Sequence, residues 1–224
     1  MSLEGEKFDL IYSAGIRELS PIFWTPVDVA AEAAKLLVTR AGTRVLDVGC
    51  GPGKFCLVGA QVTEGRFTGV EQRSALVAAA TKAAADLQLS GTVDFLCANI
   101  MDVEFENYDA FYLFNPFEEN MFEGHKIDAV VPLSIELFKR YTSHVAERLG
   151  VRPLGTRVVT YMGYADEIPA CYTCESVLFN DDLKLWIKTR EHDPALEALG
   201  LSASRSYRGS SGWQSPRRSD TKPP

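Results

Sequence analysis

The stretch at residues 43–55, TRVLDVGCGPGKF, constrains this chain more than any other. Val45, Leu46 and Val48 form a short apolar run rich in β-branched residues, and glycines follow at positions 49, 51 and 53. An apolar run of that length breaking into alternate glycines reads as a buried strand ending in a tight turn. Glycine has no Cβ, so such a turn can take positive φ and a ligand can lie against its backbone. Asp47 interrupts the run. A carboxylate so near the end of a buried strand needs a donor, which it finds either by pinning the neighbouring loop or by holding a ligand group.

Three nucleotide-site patterns compete for this turn. The phosphate-binding GxxxxGK[ST] fails, because only three residues separate Gly49 from Gly53 and Phe55 stands where the magnesium-binding hydroxyl belongs. The dinucleotide GxGxxG is poorly met, since Lys54 or Cys56 falls at the third glycine, depending on the starting point. What remains is D-x-G-x-G-x-G, and VLDVGCGPG resembles the first motif of the class I methyltransferases that use S-adenosylmethionine. The resemblance implies a Rossmann-like three-layer α/β sandwich whose mostly parallel seven-stranded sheet ends in an antiparallel hairpin. It also implies that Asp47, Gly49, Cys50, Gly51 and Gly53 belong to the cofactor site, with the turn receiving the methionine part.

Bulk properties agree with one such domain plus appendages: 224 residues, 46% apolar. A formal charge of -7 argues against a protein built to neutralise phosphates, so nucleic acid is not the expected partner. No apolar run approaches the roughly 20 residues of a membrane span, and no basic-then-apolar leader opens the chain. Five cysteines, an odd count, and no N-x-[ST] site make a reducing cytoplasm the expected compartment. Cys171 and Cys174 form the sole CxxC, and His125, His144 and His192 are scattered, so the pair reads as two reduced thiols and no metal is expected.

Along the chain, residues 1–24 read as an N-terminal arm covering the cofactor cleft, residues 25–190 as the methyltransferase domain, and residues 191–224 as an unstructured tail rich in Ser, Arg and Pro. Tyr12, Phe23 and Trp24 in the arm either simply cover the core or form part of a cofactor lid. Thr25 is placed to cap a helix opening at Pro26, with Asp28 in its first turn. The resemblance puts Thr25 near the cofactor carboxylate.

A helix over 54–62 precedes a strand over 67–70 that ends in Glu71. An acid at that tip, about 20 residues beyond the glycine turn, can accept hydrogen bonds from both ribose hydroxyls of an adenosyl group. Gln72 beside it is assigned to the same site. NAD enzymes place an acid there too, so Glu71 does not choose the cofactor. A helix over 74–89, capped by Ser74 and closed by Gly91, leads to a strand over 93–97. The resemblance then expects an acid on the adenine amino group and an apolar residue on the ring; Asn99, through its amide oxygen, and Ile100 stand there.

The fourth strand, over 108–114, ends in Asn115, Pro116, Phe117 and Glu118. In an open parallel sheet this end faces the ligand crevice. NPF is similar to the [DNS]PP[YF] motif of methyltransferases that modify nitrogen, one residue short because Phe117 takes the second proline position. It implies that Asn115 and Pro116 hold the acceptor nitrogen and Phe117 packs on it, so nitrogen is slightly favoured over oxygen. The same residues also suit a plain turn. An oxygen acceptor would need a base such as Glu118 or His125. Glu118, Glu119 and Glu123 make the following loop acidic, which suits an amine substrate or a solvated face.

A helix over 132–149, a strand over 157–162 with Tyr161 and Tyr164 near its end, and a hairpin of 176–179 and 183–188 complete the expected fold. The expected function is methyl transfer from S-adenosylmethionine to an unidentified small molecule or protein. A non-catalytic adenosyl-binding domain and an NAD-dependent oxidoreductase are the alternatives.

Overall fold

The computed structural model describes residues 7–121, 126–163 and 165–193. The apolar run becomes strand β1 (Arg44–Val48), buried everywhere except Arg44. Parallel to it lie β2 (Arg66–Glu71) and β3 (Val93–Cys97) on one side, β4 (Ala110–Leu113) and β5 (Arg157–Tyr161) on the other. β6 (Tyr172–Leu178) and β7 (Leu183–Lys188) form the closing antiparallel hairpin, giving the order β3-β2-β1-β4-β5-β7-β6. The chain steps outward from β1 in both directions, so a crevice opens at the C-terminal ends of β1 and β4.

Strand alternation divides the core between the two faces of the sheet. Ala110 and Tyr112 join Val45 and Phe67 under helices α3 (Val27–Leu37), α4 (Lys54–Val62) and α5 (Ser74–Asp86). Phe111 and Leu113 join Leu46, Val48 and Trp186 under α6 (Ile135–Gly150). Three layers result. Lys188 fastens the last strand to α6, its buried ammonium donating to the carbonyls of Gly150 (2.6 Å) and Arg152 (2.5 Å) at the negative end of the helix. The described part of the arm includes the single-turn helices α1 (Ala14–Arg17) and α2 (Ser20–Phe23).

Several boundaries differ from expectation for identifiable reasons. Thr25 does not cap α3: Pro26 takes the cap position, and the buried Thr25 hydroxyl pairs with Tyr112 Oη at 2.8 Å. Ser74 does not cap α5 either, being its first residue behind Arg73. That helix ends at Asp86 because Gln88 turns left-handed (φ 59°) and Leu89 N–H bonds Ala84 O at 2.8 Å, so Gly91 plays no part in stopping it. The α6 start moves to Ser134, whose hydroxyl accepts from Leu137 N–H at 3.2 Å. β4 is shorter than expected, with Asp109 just before it holding Arg44 through both its backbone N–H and its carboxylate, and β6 begins earlier, at Tyr172, with a bulge between Cys174 and Ser176.

Neither Cys171 nor Cys174 is in a disulfide, and the first is buried. Among the described residues no helix is long and apolar enough to cross a membrane. Glu123, His125, Tyr164 and residues 194–224 of the expected tail lie outside the described residues.

Candidate functional site

The tips of β1, β2 and β4 meet the arm around one cleft. Gly49 and Cys50 both donate backbone N–H groups to Val70 O at 3.0 Å, folding the glycine turn over the end of β2. Gly49 has φ 75°, and a Cβ there would come within 2.9 Å of Pro116 Cβ. The close approach of the β1 turn to the β4 tip therefore requires glycine at 49. Gly49 and Gly51 line the cleft, whereas Asp47, Cys50 and Gly53 stand behind its wall. Asp47 is buried and receives the Cys56 thiol at 3.5 Å. Burial pushes its carboxyl up to about 7, against the pull of that thiol and with the Glu71 charge adding to the rise.

Glu71 lines the cleft at the tip of β2. Its Oε1 accepts Arg73 N–H at 2.9 Å, and burial raises its pKa while the Arg73 backbone and charge oppose the rise. Arg73 escaped notice in the sequence, yet it joins three segments. Its buried guanidinium donates from Nη2 to Glu119 Oε2 (2.8 Å) and from Nε to Asp128 Oδ1 (3.0 Å), with Nη1 3.7 Å from Glu71 Oε1. Burial works against this charge, and the carboxylates outweigh it, keeping the pKa above its ordinary value.

Gln72, Ala98 and Ile100 continue the wall. Asn99 is set back from it: Oδ1 accepts Met101 N–H at 2.9 Å, and Nδ2 donates to Tyr141 Oη (2.9 Å) and Gln72 Oε1 (3.2 Å). The amide is thus oriented by a backbone cap and by Tyr141, a helix residue that no local pattern links to Asn99.

At the far side, Asn115, Pro116, Phe117 and Glu118 all line the cleft. Asn115 sits at φ 40° and its carbonyl accepts Glu118 N–H at 3.2 Å, so NPFE closes as a turn. Phe117 is buried against Tyr141, ring centroids 5.4 Å apart.

Leu19, Ile22, Phe23 and Trp24 bring the arm to the cleft, whereas Tyr12 and Thr25 lie behind it. The arm is fixed to the glycine turn by Tyr12 Oη on Pro52 O (3.0 Å) and by a buried ion pair between Lys54 Nζ and Asp9 Oδ1 (2.6 Å). Ser20 donates to the other Asp9 oxygen, and the Lys54 ammonium stands 5.7 Å from the Trp24 ring. Three carboxylates (Glu71, Glu118, Glu119) thus face one guanidinium on the cleft wall, alongside the rings of Phe23, Trp24, Phe114 and Phe117.

Residues 45–134 match the family model of a methyltransferase domain. A segment of 89 residues, 40% of this chain, is 33% identical to the 23S rRNA (uracil(1939)-C(5))-methyltransferase RlmD of Burkholderia pseudomallei, and spans 19% of that protein. Among solved structures, an RNA methyltransferase from Salinibacter ruber in complex with S-adenosyl-L-homocysteine superposes with TM-score 0.51 at 20% identity, over 75% of this chain and 95% of the other. TrmN from Thermus thermophilus gives 0.54 at 19%, over 77% and 51%. The [4+2]-cyclase SpnF gives 0.50 at 19%, over 88% and 70%. These structural likenesses are likenesses of fold, and the fold is the Rossmann-like one of class I methyltransferases. The family-model match adds a likeness to a methyltransferase domain over the part of the chain that runs from β1 past β4.

Proposed function

We propose that this chain binds S-adenosylmethionine in the cleft and catalyses transfer of its methyl group to an acceptor nitrogen. The observation that carries this reading is the convergence of Gly49, Glu71 and Asn115, from three strand tips, on one cavity. The donor set fits the cofactor. Glu71 offers ribose hydroxyls a carboxylate acceptor, and the glycine turn leaves backbone exposed to the ligand. Aromatic rings and an excess of carboxylate suit a sulfonium cation. The same excess disfavours the pyrophosphate of a nicotinamide dinucleotide, because the wall's guanidinium already serves Glu119 and Asp128.

When bound, the cofactor supplies a methyl group already activated on sulfur, so no covalent protein nucleophile is needed. What the chain contributes is alignment and exclusion of water. Trp24 and Phe23 close the cleft from the arm side. Asn115 and Pro116 present oxygen acceptors at the β4 tip, where an amine N–H would be held with its lone pair directed into the cleft. Phe117 supplies an apolar surface beside them. The acidic wall suits an amine better than a phosphate-bearing polymer, so a small molecule or protein is the favoured acceptor even though two of the proteins compared above are RNA methyltransferases.

A second reading is a cleft that keeps the adenosyl ligand without methyl transfer; the likeness to a [4+2]-cyclase favours it, since the same fold serves another chemistry. Calorimetric titration with S-adenosylmethionine, S-adenosylhomocysteine and NAD, repeated on Glu71→Ala, tests the pocket. The expected result is binding of the two sulfur ligands and not NAD, weakened by about tenfold or more in the variant as befits loss of a charged acceptor. Preferential NAD binding, or none of the three binding, sinks the proposal. Asn115→Ala then separates the two readings: an enzyme loses turnover more than cofactor affinity.

A further inference from the structure

The corner after β2 holds a guanidinium that faces more carboxylates than it can neutralise. Among the described residues lining the cleft, Arg73 carries the sole positive charge. Glu119, from the segment after β4, takes it in both prongs, Nη1 to Oε1 at 3.2 Å and Nη2 to Oε2 at 2.8 Å. Asp128 takes Nε at 3.0 Å. What reaches Glu71 is the same Nη1, 3.7 Å from the Oε1 that already accepts the Arg73 backbone N–H. A planar fork engaged by one carboxylate is less available to a second. Glu71 and Glu119 thus draw on one nitrogen, with side chains only 8% and 17% exposed, where water screens little. Glu119 is itself pinned, since its Oε2 also accepts Ile127 N–H at 3.0 Å. The other groups around Glu71 do not replace Arg73: Asp47 on β1 is a further carboxyl, Cys50 in the glycine turn and Cys97 in register on β3 are thiols, and the Gly51 N–H is a neutral donor. Burial pushes the Glu71 pKa up, the Arg73 backbone and charge pull it back, and the Glu119 charge pushes again.

Resting on the proposed cofactor site, we propose that Arg73 is a positioning residue for the ribose end of the cofactor and Glu119 its counterweight: the guanidinium readies the Glu71 carboxylate to accept the ribose hydroxyls, and Glu119 competes for it. An ionised carboxylate accepts through both oxygens, whereas a protonated one commits part of that capacity to its own O–H. Two hydroxyls that must both donate register the difference. Substitution of the Arg73 side chain leaves its backbone N–H on Glu71 in place, so what the change removes is the charge.

Calorimetric titration of the full chain with S-adenosylhomocysteine, from about pH 5 to about pH 8.5, tests this without a known acceptor. It is run on the wild type, Arg73→Met, Arg73→Lys, Glu119→Gln and the double variant Arg73→Met with Glu119→Gln. Relative to the wild type, Arg73→Met should bind about tenfold more weakly at the acid end, where Glu71 takes up a proton. The gap should close to within about threefold at the alkaline end, where Glu71 ionises without help. Arg73→Lys should keep most of the acid-end affinity, because it keeps the charge. Glu119→Gln retains an acceptor for Ile127 N–H and should move the other way, binding about twofold or more tightly than the wild type at the acid end. The double variant should fall between the two single ones. Asp47 and the ligand's own groups are common to all five proteins. A loss in Arg73→Met that is uniform across pH, the mark of a merely structural part, overturns the proposal while leaving the cofactor site intact. So does an acid end unmoved by Glu119→Gln, which decides the matter alone if circular dichroism shows Arg73→Met unfolded. Absence of S-adenosylhomocysteine binding in the wild type overturns both.

Discussion

The two flanks of the cleft are held by opposite kinds of ion pair. On the arm side, Lys54 and Asp9 are almost wholly buried, their side chains 4% and 6% exposed, and pinned by Ser20 and aromatic rings. On the β4 side, the buried Arg73 pairs with Glu119 and also directly with Asp128, which is 35% exposed at the rim. A buried pair loses heavily when one partner is removed, because a charge is left without compensation; a partly wetted one loses less and feels salt. The arm is therefore built as a fixed wall, and the loop after β4 as the more adjustable one. A cofactor of one fixed shape and an acceptor that must come and go would ask for that difference.

Breaking the fixed wall should have the largest effect. Lys54→Met leaves Asp9 buried and unpaired, and should cost about 3–5 kcal/mol in denaturant unfolding, with much of the loss recovered by adding Asp9→Leu. A cost no greater than that of removing the exposed Lys82–Asp86 pair would erase the contrast. Arg73→Ala should follow at about 1.5–3 kcal/mol for charged hydrogen bonds lost, and its cost should shrink in high salt while that of Lys54→Met does not. Equal salt sensitivity would mean the flanks do not differ.

A third effect concerns Asp47, in the strand that leads into the glycine turn. Asp47 titrates near 7 in the fold against 3.8 when free, so between these values the folded chain holds a proton that the unfolded chain has lost. Stability of the ligand-free protein should fall as pH rises through that window and level off above it. Glu167, also raised to about 7 by burial, acts with the same sign from 4.5 upward. Asp47→Asn should flatten the melting-temperature profile across the window and raise it at pH 8. An unchanged profile would show that Asp47 does not carry the slope.

What was legible in the sequence was whatever the backbone writes locally. Alternate glycines after an apolar run placed β1 and its turn, and spacing carried the argument to Glu71 and to NPFE. The hairpin announced itself through Asn180 and its two aspartates, with Phe179, Asn180 and Asp181 all at positive φ in the turn. Side chains that meet across long sequence separations left no such trace. Arg73 with Glu119, Asp9 with Lys54, and Thr25 with Tyr112 are brought together only by the sheet. Thr25 shows the cost of a local rule applied alone: its composition fits a helix cap, but a buried tyrosine hydroxyl is the partner the fold supplies. Asn99 shows another, since its amide oxygen already serves Met101 N–H in a one-turn cap.

The strand order has a consequence for biosynthesis. Among the described residues β7 is the last strand in sequence, yet it lies inside the sheet, and β6 pairs with it alone. As the polypeptide leaves the ribosome, β6 emerges first with no edge to join, and the open edge of β5 waits for residues 183–188. A chain interrupted in the β6–β7 turn would carry two unpaired strand edges at once, the kind of surface that seeds association between nascent copies. Completion of the sheet, and with it the Lys188 tie to the end of α6, therefore falls to six residues translated after almost everything that lines the cleft.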